Sequence, residues 1–263
     1  MLRSNHPREH FNTPQLREVI CQLRFPAILS IDTKEPADFQ EAIRAVFPRY
    51  ALKQDRLPPK LTVVNGTTQV ENQPAIPNHH FLSADNKWKL NLTRDFISLS
   101  TVAYTSWEAF GKTLDQPLAQ FIKLYQPAFF QRIGLRYVNM VSRQALELER
   151  EPWSELIEPP YLGILAEEDI SEQATRQSTV DFDTALDSSC RVKVHAGPGM
   201  VKQSAPNAPA DKEVKFVLDF DLYMRGEIQP MLAAGALETL HGHSTALFQG
   251  AITDKLRRAM DPD

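Results

Sequence analysis

Two short segments of one pattern, Leu23-Arg24-Phe25 and Leu135-Arg136-Tyr137, open the two halves of the chain, and each sets an arginine between apolar neighbours. Successive side chains of a strand point to opposite faces, so this pattern buries the flanking apolar groups and turns the arginine the other way. Around the first copy the alternation runs from Glu18 to Leu29, with Val19, Cys21, Leu23 and Phe25 on one side. Around the second it runs from Arg132 to Ser142.

The elements that follow each segment come in a similar order. After the first, Pro36 suits a first helical turn, and Phe39, Ala42, Ile43, Val46 and Phe47 recur at helical spacing until Pro48. Lys60 to Val70 reads as a strand and Asn72 to Asn78 as a proline-bearing loop. Phe81 to Thr101 reads as a hairpin, with Trp88, Leu90 and Leu92 turning at Thr93 to Asp95 into Ile97 and Leu99. Ser106 is placed to cap a long helix whose stripe is Trp107, Phe110, Leu114, Leu118, Phe121, Ile122 and Tyr125, ending at Pro127.

In the second half, Trp153 to Leu165 reads as a shorter helical segment, and strands are expected at Ala174 to Thr184, Cys190 to Ala196 and Val214 to Arg225. The glycine- and proline-rich separator Gly197 to Lys212 is expected to be mobile. A closing helix runs from Pro230 or Gly242 to about Met260, with Gly235 or Gly242 as its expected break. Each half then reads β-α-β-β-β-α. The expectation is one α+β domain over 1–263, with pseudo-repeats at 14–130 and 131–263. Its curved antiparallel sheet would carry the long helices on one face. Large α+β domains also alternate this way without duplication.

With 263 residues, 42% of them hydrophobic, the chain can bury a core without staples. The net charge of −4 argues against a general phosphate-binding field, though a local basic face is compatible with it. Cys21 and Cys190 sit in alternating apolar segments, as buried thiols of a reducing compartment do. The first eleven residues lack the apolar run of a secretory signal, and no stretch approaches a membrane span, so a cytoplasmic location and no membrane partner are expected.

No phosphate-cradling loop, nucleophile elbow or zinc spacing is present, so no catalytic residue and no cofactor are assigned. Candidate ligand-binding residues are Arg24 and Arg136, whose planar forks suit a carboxylate or phosphate, with Arg191, Lys193 and His195 on one face of a strand. Together with Arg176 they would make a basic concavity. The ordinary alternative is structural arginines, each paired with an acid. Asp219 and Asp221, at i and i+2, are weak metal candidates, and Asp181 and Asp183 repeat their pattern. His241 and His243 would point to different sides of a helix, and His79 and His80 are read as loop residues at the surface.

The run Pro14-Gln15-Leu16-Arg17-Glu18-Val19-Ile20-Cys21-Gln22-Leu23-Arg24-Phe25-Pro26, with Ile133-Gly134-Leu135-Arg136-Tyr137-Val138-Asn139, resembles the signatures of a sporadically distributed family of prokaryotic proteins without an assigned activity. The likeness extends to Ile97 to Thr101, to Tyr104, Trp107 and Phe110, and to Phe248 to Met260 with Pro262. It implies recurrence at Arg24, Trp107, Arg136, Asn139, Asp221 and His241, and an accessory gene of a mobile or defence locus. The functional expectation is a non-enzymatic regulator binding a protein partner or itself. Nucleic-acid or phosphorylated-ligand binding through the arginine-centred face, and a metal-dependent phosphohydrolase, are the alternatives.

Overall fold

A computed structural model describes residues 2–4, 9–56, 59–64, 67–71, 75–200 and 212–262. In chain order its elements are β1 (Leu16–Arg24), α1 (Ser30–Thr33), α2 (Ala37–Ile43), β2 (Arg49–Asp55), β3 (Lys60–Val64), β4 (Thr67–Glu71), β5 (Ile76–Leu82), β6 (Trp88–Leu92) and β7 (Phe96–Thr101). Then come α3 (Trp107–Tyr125), β8 (Phe130–Val141), α4 (Pro159–Leu162), β9 (Val180–Ala185), β10 (Cys190–Met200), β11 (Val214–Ile228), α5 (Ala233–Ala251) and α6 (Asp254–Ala259). The fold is α+β. Nine strands form one antiparallel sheet in the order β2-β5-β6-β7-β1-β8-β11-β10-β9, and β3 and β4 pair separately.

The chain divides into two compact units. An amino unit comprises Cys21–Ile133 and Arg225–Leu232, and a carboxyl unit comprises Met1–Ile20, Gly134–Met224 and Ala233–Asp263. In the amino unit, Leu23, Phe25, Phe81, Leu90, Leu92, Ile97 and Leu99 alternate along their strands onto one buried face. Helix α3 covers that face. The Phe121 ring lies 4.7 Å from Phe25 and the Phe110 ring 5.7 Å from Trp88, while Phe39 of α2 meets Phe81 at 5.6 Å. Its start is set by the Ser106 hydroxyl, which accepts from the Ala109 amide at 3.1 Å, and its end by Gln126 in the left-handed region ahead of Pro127.

In the carboxyl unit the buried face is Leu135, Tyr137, Val192, Val194, Phe216, Leu218, Phe220 and Leu222. Trp153 packs on Phe216 at 5.3 Å, Tyr161 of α4 meets Phe220 edge-on at 5.9 Å, and His241 of α5 lies against Tyr137. The segment Leu2–Ser4 crosses α5 at Gly250, where a Cβ would stand 2.7 Å from the Leu2 carbonyl oxygen. Ser4 N–H donates to Ala246 and Tyr161 Oη donates to Leu2.

Several expectations are corrected. Lys60 to Val70 is two strands, and the expected loop at Asn72 to Asn78 has become strand by Ile76, so His79 and His80 lie in β5. The first half therefore holds more strands than the second, with β2 and the β3–β4 hairpin as the excess. The segment Trp153 to Leu165 is a series of short turns, because Pro159 and Pro160 restart the helix and Gly163, at φ +57°, ends it. The expected strand from Ala174 begins only at Val180. Helix α5 runs unbroken through Gly235 and Gly242; a glycine costs about 1 kcal/mol inside a helix, less than burial of Leu237, Leu240 and Leu247 returns. Of the expected mobile separator, 197–200 belongs to β10 and 201–211 lies outside the described residues. Both cysteines are buried and unlinked, and burial pushes the Cys21 thiol up to about 12.

Candidate functional site

The face of the carboxyl unit turned away from α5 carries most of the candidate residues, and there the strand register pairs cations with acids. Arg136 alternates with the buried Leu135 and Tyr137, and so projects from this face. Its Nε donates to Asp219 Oδ1 at 2.7 Å while its Nη2 donates to Oδ2, a bidentate fork. That bond, opposed by burial and assisted by the charges of Asp219, Asp221 and Glu18, raises the arginine's pKa still further. Arg191 lies across from Tyr223 on one side and Ala185 on the other. It donates to Asp183 at 3.0 Å and to Tyr223 Oη at 3.3 Å, and Tyr223 in turn donates to Asp183 at 2.8 Å. His195 Nδ1 is 2.8 Å from Asp181 Oδ1, with Asp219 its register partner on β11. Lys193, exposed, stands in register between Asp183 and Asp221.

Arg24 belongs to the amino unit. Also projecting from the face opposite its buried neighbours, it donates to Gln22 at 3.2 Å and lies 5.8 Å from the Phe96 ring. Arg176 is exposed in a bend ahead of β9. Asn139, His241 and Trp107 face the core: Asn139 donates to the Leu218 carbonyl at 3.2 Å, Tyr137 Oη and His241 Nδ1 are 2.8 Å apart, and Trp107 stacks on Phe110.

The pairing fixes the expected cost of disruption. In Arg136→Ala the nearly buried Asp219 carboxylate loses its bidentate partner, which lowers unfolding free energy by about 2 kcal/mol after discounting for the arginine's partial exposure. Asp219→Ala costs less, because the arginine can turn to water. Urea unfolding of the two variants measures the difference.

Asp219 and Asp221 gather no third donor among the described residues. The group that does bring three metal-capable donors within 4.8 Å is Asp187, Cys190 and His243. Asp187 Oδ1 accepts from the Ser189 and Cys190 amides at 2.7 and 2.8 Å, and those bonds hold its carboxyl well below the usual carboxylate range. Arg3 can only donate, so its 3.4 Å contact makes His243 Nδ1 an acceptor and leaves Nε2–H to donate to Asp187 Oδ2 at 2.8 Å. Burial, and then the charge of Asp187, push the Cys190 thiol up. A metal would need the thiolate and an unprotonated Nε2, both disfavoured here, so the trio reads as a clasp tying the β9–β10 turn to α5. By linkage, the contribution of Asp187 is present above the ordinary carboxylate pKa and is lost as pH falls through its depressed folded value.

A second polar constellation went unread in the sequence. On the amino unit's sheet face opposite α3, Asn78, His80, Asn91, Ser98 and Ser100 are buried, with exposed Lys53 and Asp55 on β2 and half-buried Lys89 on β6. Asn91 donates to Asn78 Oδ1 at 3.1 Å, and Asn78 donates to Asp55 at 2.7 Å. On the other face, His79 Nε2 donates to the Ile31 carbonyl at 3.4 Å, which leaves Nδ1 to accept from Tyr50 Oη at 3.0 Å. The signal was the alternation of Asn78 with His80 and of Lys89 with Asn91, opposite Phe81 and Leu90.

Burial lowers the pKa of both histidines from the ordinary 6.5, against the pull of Asp32 and Glu35 at His79 and of Asp55 at His80. Between the folded and unfolded values the unfolded chain binds more protons, so stability is full above about pH 6.5 and declines as pH falls through it. Urea unfolding at neutral and mildly acidic pH is expected to show that decline, and the double variant His79→Gln/His80→Gln is expected to flatten it.

No helix among the described residues is long and apolar enough to cross a membrane. No protein-family model matches the chain, and no curated protein is similar to it at a significant level.

Proposed function

We propose that the chain is a non-enzymatic interaction protein that binds a protein partner, or a second copy of itself, through the polar sheet face of its carboxyl unit. The observation that carries this reading is strand-to-strand charge compensation. The permanent cations Arg136, Arg191 and Lys193 stand against Asp181, Asp183, Asp219 and Asp221, so the face is mixed in sign rather than basic. A polyanion backbone gains affinity from cations that release its counterions, and cations already matched by carboxylates supply little of that. A protein surface with its own alternating charges gains specificity and register from such a face.

The same pairing disfavours a phosphohydrolase centred on Asp219 and Asp221, since Arg136 already occupies Asp219 in bidentate fashion. An internal duplication fits the strand order. In each half the opening strand lies beside that half's last strand, and the order then counts backward: β1-β7-β6-β5 and β8-β11-β10-β9. The long helix then follows that last strand in each half. A cytoplasmic role in an accessory prokaryotic locus is part of the same reading and rests on the resemblance of the β1 and β8 segments.

Size-exclusion chromatography with mass spectrometry, on tagged protein purified from its own host, tests the proposal. A protein retained in stoichiometric amount, or a stable homo-oligomer, is the expected result. An isolated monomer whose affinity for oligonucleotides weakens steeply with salt and falls in Arg136→Ala would overturn it in favour of nucleic-acid binding.

A further inference from the structure

On the amino unit's polar face the hydrogen-bond directions can be assigned from one fixed point. The Asp55 carboxylate only accepts, so Asn78 must turn its amide N–H to it. The Asn78 carbonyl oxygen is then the group facing Asn91, and Asn91 must spend an N–H on it. Amide orientation, ordinarily ambiguous, is thereby settled: the group Asn91 has left over is Oδ1, a buried acceptor with no donor. His80 is the register partner of Asn91 on the adjacent strand, and its Nε2 is likewise buried without a partner. Both residues are 8% exposed. Buried polar atoms left unmatched forfeit the hydrogen bonds they had with water, so neighbouring orphans of this kind mark a place where something polar belongs.

The surroundings say what it would be. Lys53 lies across from Asn78 in register and Lys89 is two residues from Asn91 on the same face, so two cations flank the orphans. Burial, then Lys53 and Lys89, with a smaller effect from His79, hold the His80 imidazole below its ordinary pKa while Asp55 pulls the other way. A positive field around a neutral imidazole attracts an anion, yet a simple anion leaves Asn91 Oδ1 unmatched.

We propose that this face binds a small oxyanion that brings its own hydrogen-bond donor, either hydrogen phosphate or a hydroxyl-bearing phosphate monoester. Its charged oxygens would face Lys53, Lys89 and His80 Nε2, and its donor would face Asn91 Oδ1. The proposal involves none of the residues assigned to a protein partner and stands or falls independently of that reading.

Sulfate provides the control, because it matches hydrogen phosphate in charge and shape but carries no proton at neutral pH. Calorimetric titration of the full chain with inorganic phosphate, glycerol 3-phosphate and sulfate is expected to show saturable binding of a phosphate species at least about tenfold tighter than sulfate, as for sites built around a ligand's donor. In Asn91→Leu that preference is expected to vanish. Tighter binding of inorganic phosphate assigns the free ion, and tighter binding of the glycerol ester assigns a monoester. The absence of saturable binding at millimolar concentrations, or equal affinity for sulfate and phosphate in the wild-type chain, overturns the proposal. That comparison needs no variant, so a poorly folded Asn91→Leu leaves it decisive.

Discussion

Replacing Trp153 with alanine is expected to lower the unfolding free energy by about 4 kcal/mol, among the largest effects of a single change in the carboxyl unit. The indole is 1% exposed. One face of it packs on Phe216 of β11 and the Arg143 guanidinium sits 4.1 Å from its centroid. Arg143 is itself held by Glu172 at 2.8 Å, and Glu172 also accepts from the Trp153 amide at 2.9 Å. Removal therefore opens a cavity under β11 and strips the stacking partner from a half-buried cation. Trp153→Phe should cost much less, because the indole N–H is buried without an acceptor and its loss offsets part of the lost packing. Equilibrium urea unfolding of both variants checks the prediction; equal costs would contradict it, because Phe restores most of the volume that Ala leaves empty.

Gly197→Ala is expected to cost about 3 kcal/mol or more, by a different mechanism. Gly197 sits at φ +153°, and a Cβ there would stand 2.4 Å from the Ser178 carbonyl oxygen and 3.2 Å from Thr179 Cα. Both obstacles are backbone, so no side chain can swing aside. The residue lies in β10 across from Val217 and two positions beyond His195. Relief of the clash must move β10 against the segment leading into β9, which disturbs the register that pairs His195 with Asp181 and Lys193 with Asp183. Gly199→Ala, where nothing lies within 4 Å, is the matched control and should be nearly silent. Thermal unfolding of the pair measures the contrast.

How much of this was legible in the sequence depended on whether the stabilising contacts were local. Helix α3 was readable end to end because its cap, stripe and stop are all written within it, from Ser106 to Pro127. Strands β6 and β7 were readable because one face is apolar and the turn at Thr93 to Asp95 is polar. Strand β2 was missed because it lies at the edge of the sheet and leaves Tyr50 and Leu52 largely exposed, so burial imposes no alternation on it. The β3–β4 hairpin was passed over although Asn65-Gly66 is a strong two-residue turn signal. Pro77 hid the start of β5, and with it the burial of His79 and His80.

The candidate residues were named from their strand positions, but their chemistry lay in register, which one strand does not encode. Arg136 meets Asp219 across 83 residues of sequence, and Arg191 shares Asp183 with Tyr223. Read singly, Arg136, Arg191, Lys193 and His195 look like a basic face. Placed in register, each lies beside an acid. The Asn78–Asn91 chain escaped notice for the same reason, since its directionality depends on Asp55 of another strand.

Docking of a protein on the compensated face of the carboxyl unit is the proposal on which the functional reading depends. Its most direct test is co-purification from the native host of wild-type protein and Lys193→Glu, which makes the face more acidic by two charges without touching the core. Near-UV circular dichroism would verify that the variant is folded. Wild-type protein is expected to retain its partner, or its self-association, and folded Lys193→Glu is expected to lose most of it. Undiminished retention by Lys193→Glu and by a second surface variant, Arg191→Glu, would contradict the proposal.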